Sequence, residues 1–255
     1  MLILAIGDVI GKPGRQAVER FLPQLRQEYA VDLAVVNAEN VAGGIGVTPE
    51  TAADLLQAGA DVLTSGNHIW AHKDILPILN SETTLLRPLN YPPGLPGRGF
   101  TIVKGVLVVN LIGRTFMGNY DCPFRAMDRL LNELPDRPPV AYVDFHAEAT
   151  SEKVALSYYL DGRVSAVMGT HTHVGTIDAR IMPRGTACVT DIGMTGPIDS
   201  IIGDEPQKVI DRFLTQLPYR LSAARGKTLL NAMLIRVDDA TGRALSIQRI
   251  QRETD

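Results

Sequence analysis

Apolar positions along the chain fall into short strand-like runs separated by longer stretches of helical period. Leu2–Ile6 is a continuous apolar run of strand length and predicts a buried first strand. A helix over residues 15–29 follows, with Pro13 as an early helical residue, where a missing N–H costs little. Leu33–Asn37 predicts a second strand. Thr48-Pro49-Glu50 opens a helix through Ala58, with Thr48 as N-cap and Gly59 as stop signal, and residues 61–64 give a third strand. This βαβαβ rhythm predicts a largely parallel sheet in the first third of the chain.

The middle changes character. Pro88, Pro92, Pro93 and Pro96, interleaved with Gly94, Gly97 and Gly99, form a loop that no helix or central strand tolerates. Phe100–Val103 and residues 106–111 flank Lys104-Gly105 as a tight hairpin. Further strands are expected at 140–145, 164–168, 179–181 and 187–190, and helices at 123–134, 152–160 and 206–213. Thr228–Val237 and residues 244–250 suggest a closing antiparallel pair. With no repeat and no low-complexity linker, the expectation is one α/β domain over residues 1–255, with two sheets packed together.

Composition narrows the function classes. The chain is 45% apolar, enough for a sizeable core, and its formal charge of −3 excludes a basic surplus for general nucleic-acid binding. A small nucleotide or short oligonucleotide at a local site stays open. Cys122 and Cys188 stand far apart in no CxxC arrangement, so neither a disulfide framework nor a thiolate metal site is expected. The apolar N-terminus lacks a basic segment and reaches Asp8 early, which reads poorly as a signal peptide or membrane span. A soluble, cytoplasmic protein is expected.

The informative polar residues stand where strands end. The first three strands run into Gly7-Asp8, Asn37-Ala38-Glu39-Asn40 and Gly66-Asn67-His68. Later ones run into Asp144-Phe145-His146 and Gly169-Thr170-His171-Thr172-His173. In open parallel sheets the carboxyl ends of neighbouring strands face one crevice, where ligands bind. Taken singly, a carboxylate after a strand reads as a helix cap and a lone histidine as hydrogen-bonded structure. In His171-Thr172-His173, alternation along an extended segment would turn both rings to one side. Five strand ends with such chemistry argue jointly for a site. Carboxylate, amide oxygen and imidazole without thiolate suit manganese, iron or zinc. The donors are too many for one closed tetrahedral ion, whereas two ions sharing a bridging carboxylate would use them all, an arrangement suited to displacement at phosphorus.

These residues resemble the GD, GNH, H and GHxH blocks of calcineurin-like metallophosphoesterases. More narrowly, Ile6-Gly7-Asp8-Val9-Ile10-Gly11-Lys12-Pro13-Gly14 with Asn37-Ala38-Glu39-Asn40 is similar to the bacterial 2′,3′-cyclic-nucleotide 2′-phosphodiesterase family. The chain departs from the broad superfamily in two ways: no histidine stands two residues from Asp8, and Glu39 replaces the usual bridging aspartate. Both departures match the narrower family. The resemblance implies a two-sheet α/β sandwich with αββα layers and two metal ions, iron or manganese foremost and zinc as an alternative. Asp8, Glu39 and His173, with Asn40, would hold one ion, and Glu39 would bridge to a second bound by Asn67, His146 and His171. For Asn40 a turn role is an equal alternative. His68 would act as the proton donor while a dimetal-bound hydroxide attacks a small cyclic nucleotide in line, 2′,3′-cyclic nucleotides being favoured. The alternatives are a non-enzymatic metal-binding regulatory protein and a dinuclear phosphomonoesterase. The expected partner is a small nucleotide, with no membrane and no extended nucleic-acid surface; a homo-oligomer stays open.

Other features attract blander readings. Gly7 to Gly11-Lys12 fails the Walker spacing, and Pro13 follows the lysine. His72 is expected on a helix surface and Glu148 as a solvated charge. The loop from Thr190 to Pro197 and the segment Arg114-Thr115-Phe116 are expected to be ordinary loop structure rather than site wall.

Overall fold

The computed structural model describes residues 1–81 and 84–254. Its first part is β1 (Leu2–Ile6), α1 (Gly11–Tyr29), β2 (Leu33–Asn37), α2 (Pro49–Gln57), β3 (Val62–Thr64) and α3 (Ile75–Ser81). Then come β4 (Phe100–Val103), β5 (Val106–Ile112), α4 (Pro123–Glu133), β6 (Val140–His146), α5 (Thr150–Leu160) and β7 (Ala166–Thr170). The rest is β8 (Arg180–Ile181), β9 (Ala187–Val189), β10 (Gly196–Pro197), α6 (Pro206–Thr215), β11 (Thr228–Val237) and β12 (Ala244–Glu253).

These strands form two mixed sheets. One has the order β10-β11-β1-β2-β3 with β12 paired to β11; β1, β2 and β3 are parallel, and β11 is antiparallel to β1. The other has the order β4-β5-β6-β7-β9-β8, parallel from β5 to β9 and antiparallel at both edges. Strand alternation sorts the side chains into three cores. Ile3 and Ala5 of β1 with Leu33 and Val35 of β2 meet Val106, Val108, Tyr142 and Met168 between the sheets. The intervening Leu2, Leu4 and Ile6 pack on the outer face against Ala17, Val18, Phe21, Leu22 and Leu25 of α1. Leu107, Val109 and Leu111 of β5 pack against Met127 and Leu130 of α4 and Leu156 and Leu160 of α5. The result is an α/β sandwich in helix–sheet–sheet–helix layers. Central strands buried on both faces read as unbroken apolar runs, and truncating a fully buried side chain such as Leu22 to Ala costs roughly 2–5 kcal/mol.

Local chemistry explains most boundaries. Thr48 caps α2 in a reciprocal box with Thr51, Thr51 N donating to Thr48 Oγ1 at 3.3 Å and Thr48 N to Thr51 Oγ1 at 3.0 Å. Lys104 and Gly105, with φ of 52° and 75°, make the two-residue hairpin turn between β4 and β5. β7 runs from Ala166 to Thr170 rather than over the expected 164–168, because Val164 is taken up in an isolated bridge with Asp161. α3, whose seven residues contain Pro77, and the two-residue β10 were not expected from the sequence. Among the described residues no helix is long and apolar enough to cross a membrane.

Candidate active site

The parallel strands of both sheets deliver their carboxyl ends to one edge of the sandwich. Asp8 follows β1, Glu39 and Asn40 follow β2, and Asn67 and His68 follow β3, while His146 ends β6 and His171 and His173 follow β7. Across the gap between sheets, Glu39 Oε1 lies 3.6 Å from His146 Nε2. Asp8 Oδ1 lies 3.8 Å from His146 Nδ1 and 3.9 Å from His173 Nε2. Asn40 Nδ2 reaches His173 Nε2 at 3.1 Å, and Asn67 Nδ2 reaches His68 Nε2 at 3.2 Å. All eight residues singled out from the sequence are therefore together.

One local expectation is wrong. His171-Thr172-His173 is not an extended segment: β7 stops at Thr170, and His171 and His173 have φ of 96° and 66°. Non-glycine residues in this region cost of order 1–3 kcal/mol each and persist only where surrounding bonds hold them. Here the holds are His171 N donating to Asp8 Oδ2 at 3.3 Å, Thr172 N to Asp191 Oδ2 at 3.1 Å and Met194 N to His173 O at 2.9 Å. Two kinked residues, not alternation, turn the rings inward.

The remaining side chains are fixed from below. Glu39 is fully buried and accepts the backbone N–H groups of Gly66 and His68, the latter at 2.6 Å. Gly66 has to be glycine, since a Cβ there would overlap the His146 ring. Asp144, also buried, ties the sheets together by accepting Asn37 Nδ2 at 3.1 Å, Thr170 Oγ1 at 2.7 Å and the Thr64 hydroxyl.

That network fixes tautomers. Thr170 gives its single hydroxyl proton to Asp144, so its contact with His146 Nδ1, at 3.1 Å, requires the proton on Nδ1. His146 Nε2 is then a bare lone pair, 3.2 Å from Asn67 Oδ1 and 3.1 Å from His171 Nδ1. Glu148 Oε2, 3.0 Å from His171 Nε2, draws that ring's proton outward and leaves its Nδ1 as a second lone pair. His146 Nε2, His171 Nδ1, Asn67 Oδ1 and Glu39 Oε1 thus converge with no proton to share between them. Beside them Asp8 Oδ1 is buried without any hydrogen-bond partner. His173 donates from Nδ1 to Ile202 O at 2.7 Å, so its Nε2 is also a lone pair, and Asn40 meets it with its amide nitrogen rather than its oxygen.

The electrostatics agree. Burial raises the carboxyl of Asp8, with His173 opposing, raises that of Glu39 well above its usual range, and pushes Asp144 up to about 7. Burial drives His146 well down, brings His171 to about 4 and lowers His68. Acids and bases alike are pushed towards neutrality because burial penalises their charged forms. Among the described residues no three of the His, Cys, Asp or Glu side chains already enclose a point for a metal ion. The surplus of lone pairs and the partnerless Asp8 oxygen nevertheless suit divalent cations, which would favour ionised carboxylates and neutral imidazoles together.

Above the cluster opens a cleft of about 750 Å3 whose wall includes Asn40, His68, His171 and His173, with Arg212 and Arg220 as its cations. The two arginines lie on α6 and in the loop after it, and no motif in the sequence marks them. His72 is not on a helix: it lies in the loop before α3, donates from Nε2 to Ile45 O at 3.0 Å, and lines the same cleft. Glu148 is half exposed yet paired to His171. The loop from Thr190 braces the site from beneath rather than lining it. Thr195 N donates to Asp8 O at 2.8 Å, and buried Asp191 pairs with Lys153 Nζ at 2.9 Å. Arg114 and Thr115 cap Glu152 through their N–H groups, outside the described wall of the cleft.

Residues 4–250 match the model of a family described as YmdB-like protein. The chain is 49% identical over 254 residues to the 2′,3′-cyclic-nucleotide 2′-phosphodiesterase of Bacillus subtilis (strain 168), covering 98% of this chain and 96% of that one. A crystal structure of a hypothetical protein from Thermus thermophilus superposes with a TM-score of 0.94 at 47% identity, covering 100% of both chains. That of a novel phosphatase from Mycoplasma pneumoniae does so with a TM-score of 0.93 at 33% identity, covering 99% of this chain and 93% of that one.

Proposed function

We propose that this chain, which belongs to the YmdB-like protein family and is a phosphoesterase, hydrolyses 2′,3′-cyclic nucleotides with the help of two divalent metal ions. The observation that carries the reading is the convergence, from both sheets, of lone pairs with no protons to share around Glu39 and His146. The relative from Bacillus subtilis supplies the substrate class.

Asp8 and His173 would hold one ion and Asn67, His146 and His171 the other, with Glu39 between them. Asn40, whose amide nitrogen meets His173, would orient that ring. Iron, manganese and zinc all accept such a mixed N/O set. Bound there, the ions supply Lewis acidity to the phosphoryl oxygens and acidify a water. The chain's own residues do the rest. The N–H groups of Gly66 and His68 keep Glu39 in one orientation, and Asp144 through Thr170 keeps the His146 lone pair turned inward. His68 has Nε2 engaged by Asn67, so Nδ1 is the ring atom left to face substrate. In the reaction a water oxygen bonds to phosphorus, the bond from phosphorus to O2′ breaks, and the departing oxygen takes its proton from His68 Nδ1. Arg212 and Arg220 on the cleft wall offer charge to the nucleotide's anionic groups.

Purified protein assayed with 2′,3′-cyclic AMP, a generic aryl diester and an aryl monoester tests this, before and after chelation and metal restoration. The diester reading expects turnover of the first two, lost on chelation and recovered with iron or manganese. Turnover of the monoester alone would overturn it in favour of a phosphomonoesterase.

A further inference from the structure

A second cleft, of about 680 Å3, adjoins the first, and Gly43 lines both. Each is large enough for a nucleotide. The polar wall of the second consists of Lys12, Gln16, Arg225, Thr228 and Thr254, with no carboxylate among its described residues. For a chain of formal charge −3, two cations and no acid among the described wall residues is a local reversal of sign. Glu205, the acid that feels the charge of Arg225, is itself held by Lys208 at 2.9 Å. The saddle between the clefts is bare backbone: Gly43 has φ of 70°, and a Cβ there would meet nothing within 4 Å. A ligand could cross from one cleft to the other without meeting a side chain at that point.

We infer that the second cleft is a subsite for the preceding nucleotides of an oligoribonucleotide whose 3′ end carries the 2′,3′-cyclic phosphate. This rests on the diester reading above. In such an end both the 2′ and 3′ oxygens are tied to the reacting phosphorus, so a continuing chain can leave the site only through O5′. Each further linkage carries one negative charge, which lysine and arginine meet without reading sequence. A mononucleotide would occupy the first cleft and give Lys12 and Arg225 nothing to bind. The chemistry at phosphorus is unchanged: water adds and the bond to O2′ breaks. Cyclic ends of this kind form when a ribose 2′-hydroxyl attacks the neighbouring diester, so the supplying reaction is RNA strand cleavage by transesterification.

The test compares kcat/KM for 2′,3′-cyclic AMP and for a triadenylate ending in a 2′,3′-cyclic phosphate, in the metal-loaded wild type and in Lys12→Ala/Arg225→Ala. The wild type should prefer the trinucleotide by about tenfold or more. The double variant should lose that preference while keeping its rate on the mononucleotide and its metal content. Equal kcat/KM on both substrates in the wild type, or an equal loss on both in the variant, overturns the subsite. A second measurement needs no turnover: anisotropy of a 5′-labelled triadenylate ending in a 3′-phosphate. Binding that ignores the double substitution overturns the subsite. Binding that depends on it, in a protein that turns over neither cyclic substrate, upholds the subsite and overturns the diester reading instead.

Discussion

Glu39 Oε1 and His146 Nε2 stand 3.6 Å apart, although one belongs to the sheet of β1–β3 and the other to the sheet of β5–β7. His146 Nε2 carries no proton in the network described, Glu39 Oε1 accepts the backbone N–H of His68, and both side chains are fully buried. Two acceptors held this close in a dry site repel unless a cation lies between them.

Replacing Glu39 by Gln keeps the shape and removes the charge. It also turns an amide NH2 towards either Gly66 N or His68 N, both of which now donate to the carboxylate. We expect metal content to fall well below wild type, turnover to drop at least ~100-fold and stability to fall by roughly 1–3 kcal/mol from the mismatched donors. Metal analysis, kcat and a urea titration on one preparation read all three. A variant that keeps its metal and its rate would remove Glu39 from the site.

His68 should separate from the other residues in the same assays. Its ring meets Asn67 at 3.2 Å and lines the cleft, while its backbone N–H, which Glu39 needs, survives any side-chain change. His68→Ala is therefore expected to lower kcat by about 10²–10⁴-fold with metal content near wild type. Parallel loss of metal would show that the ring serves binding rather than proton transfer.

The polar groups at the ends of β1, β2, β3, β6 and β7 were legible in the sequence because each apolar run gives way to them within a few residues: Asp8, Glu39, Asn67, His146 and His171. The hairpin at Lys104-Gly105 and the cap at Thr48 were legible for the same reason, as both are chemistry within a few residues. The positive φ of His171 and His173 was not, because it is imposed by partners far along the chain: Asp8, Asp191 and Met194. Nor was the ion pair of Lys153 with Asp191, since a lysine within the helical run of α5 reads as a solvated position. Arg212 and Arg220 carry no local signal at all; only the placement of α6 and of the loop after it brings them to the cleft.

Lys153 is 2% exposed and its partner Asp191 not at all, and Asp191 also receives Thr172 N at 3.1 Å, Thr172 Oγ1 at 2.6 Å and Gly193 N at 2.8 Å. Lys153→Met leaves a buried carboxylate without its cation beneath the segment that carries His171 and His173. Removing one partner of a buried pair costs about 3–5 kcal/mol, or roughly 6–20 °C in Tm for a chain of this size. Calorimetry should show that loss together with reduced turnover. A Tm within a few degrees of wild type would mean that the pair contributes little.

Asp61 offers a test of the scaffold away from the chemistry. It receives Arg26 Nη1 at 2.7 Å, Lys104 Nζ at 2.7 Å and Ala34 N at 2.8 Å, joining α1 and β2 to the β4–β5 turn. Burial alone would raise its carboxyl, but these donors outweigh burial and hold it below the usual range. A carboxyl with a lowered folded-state pKa stabilises the protein above its unfolded value, near 3.9, and that contribution is lost as pH falls through the folded value. Asp61→Asn should therefore cost about 2 kcal/mol at pH 7, and the gap to wild type should narrow progressively below about pH 4. Urea midpoints measured from pH 7 down to about pH 3 give the comparison. A gap that stays constant over that range would show the ionised form of Asp61 to be no better held in the fold than its neutral form.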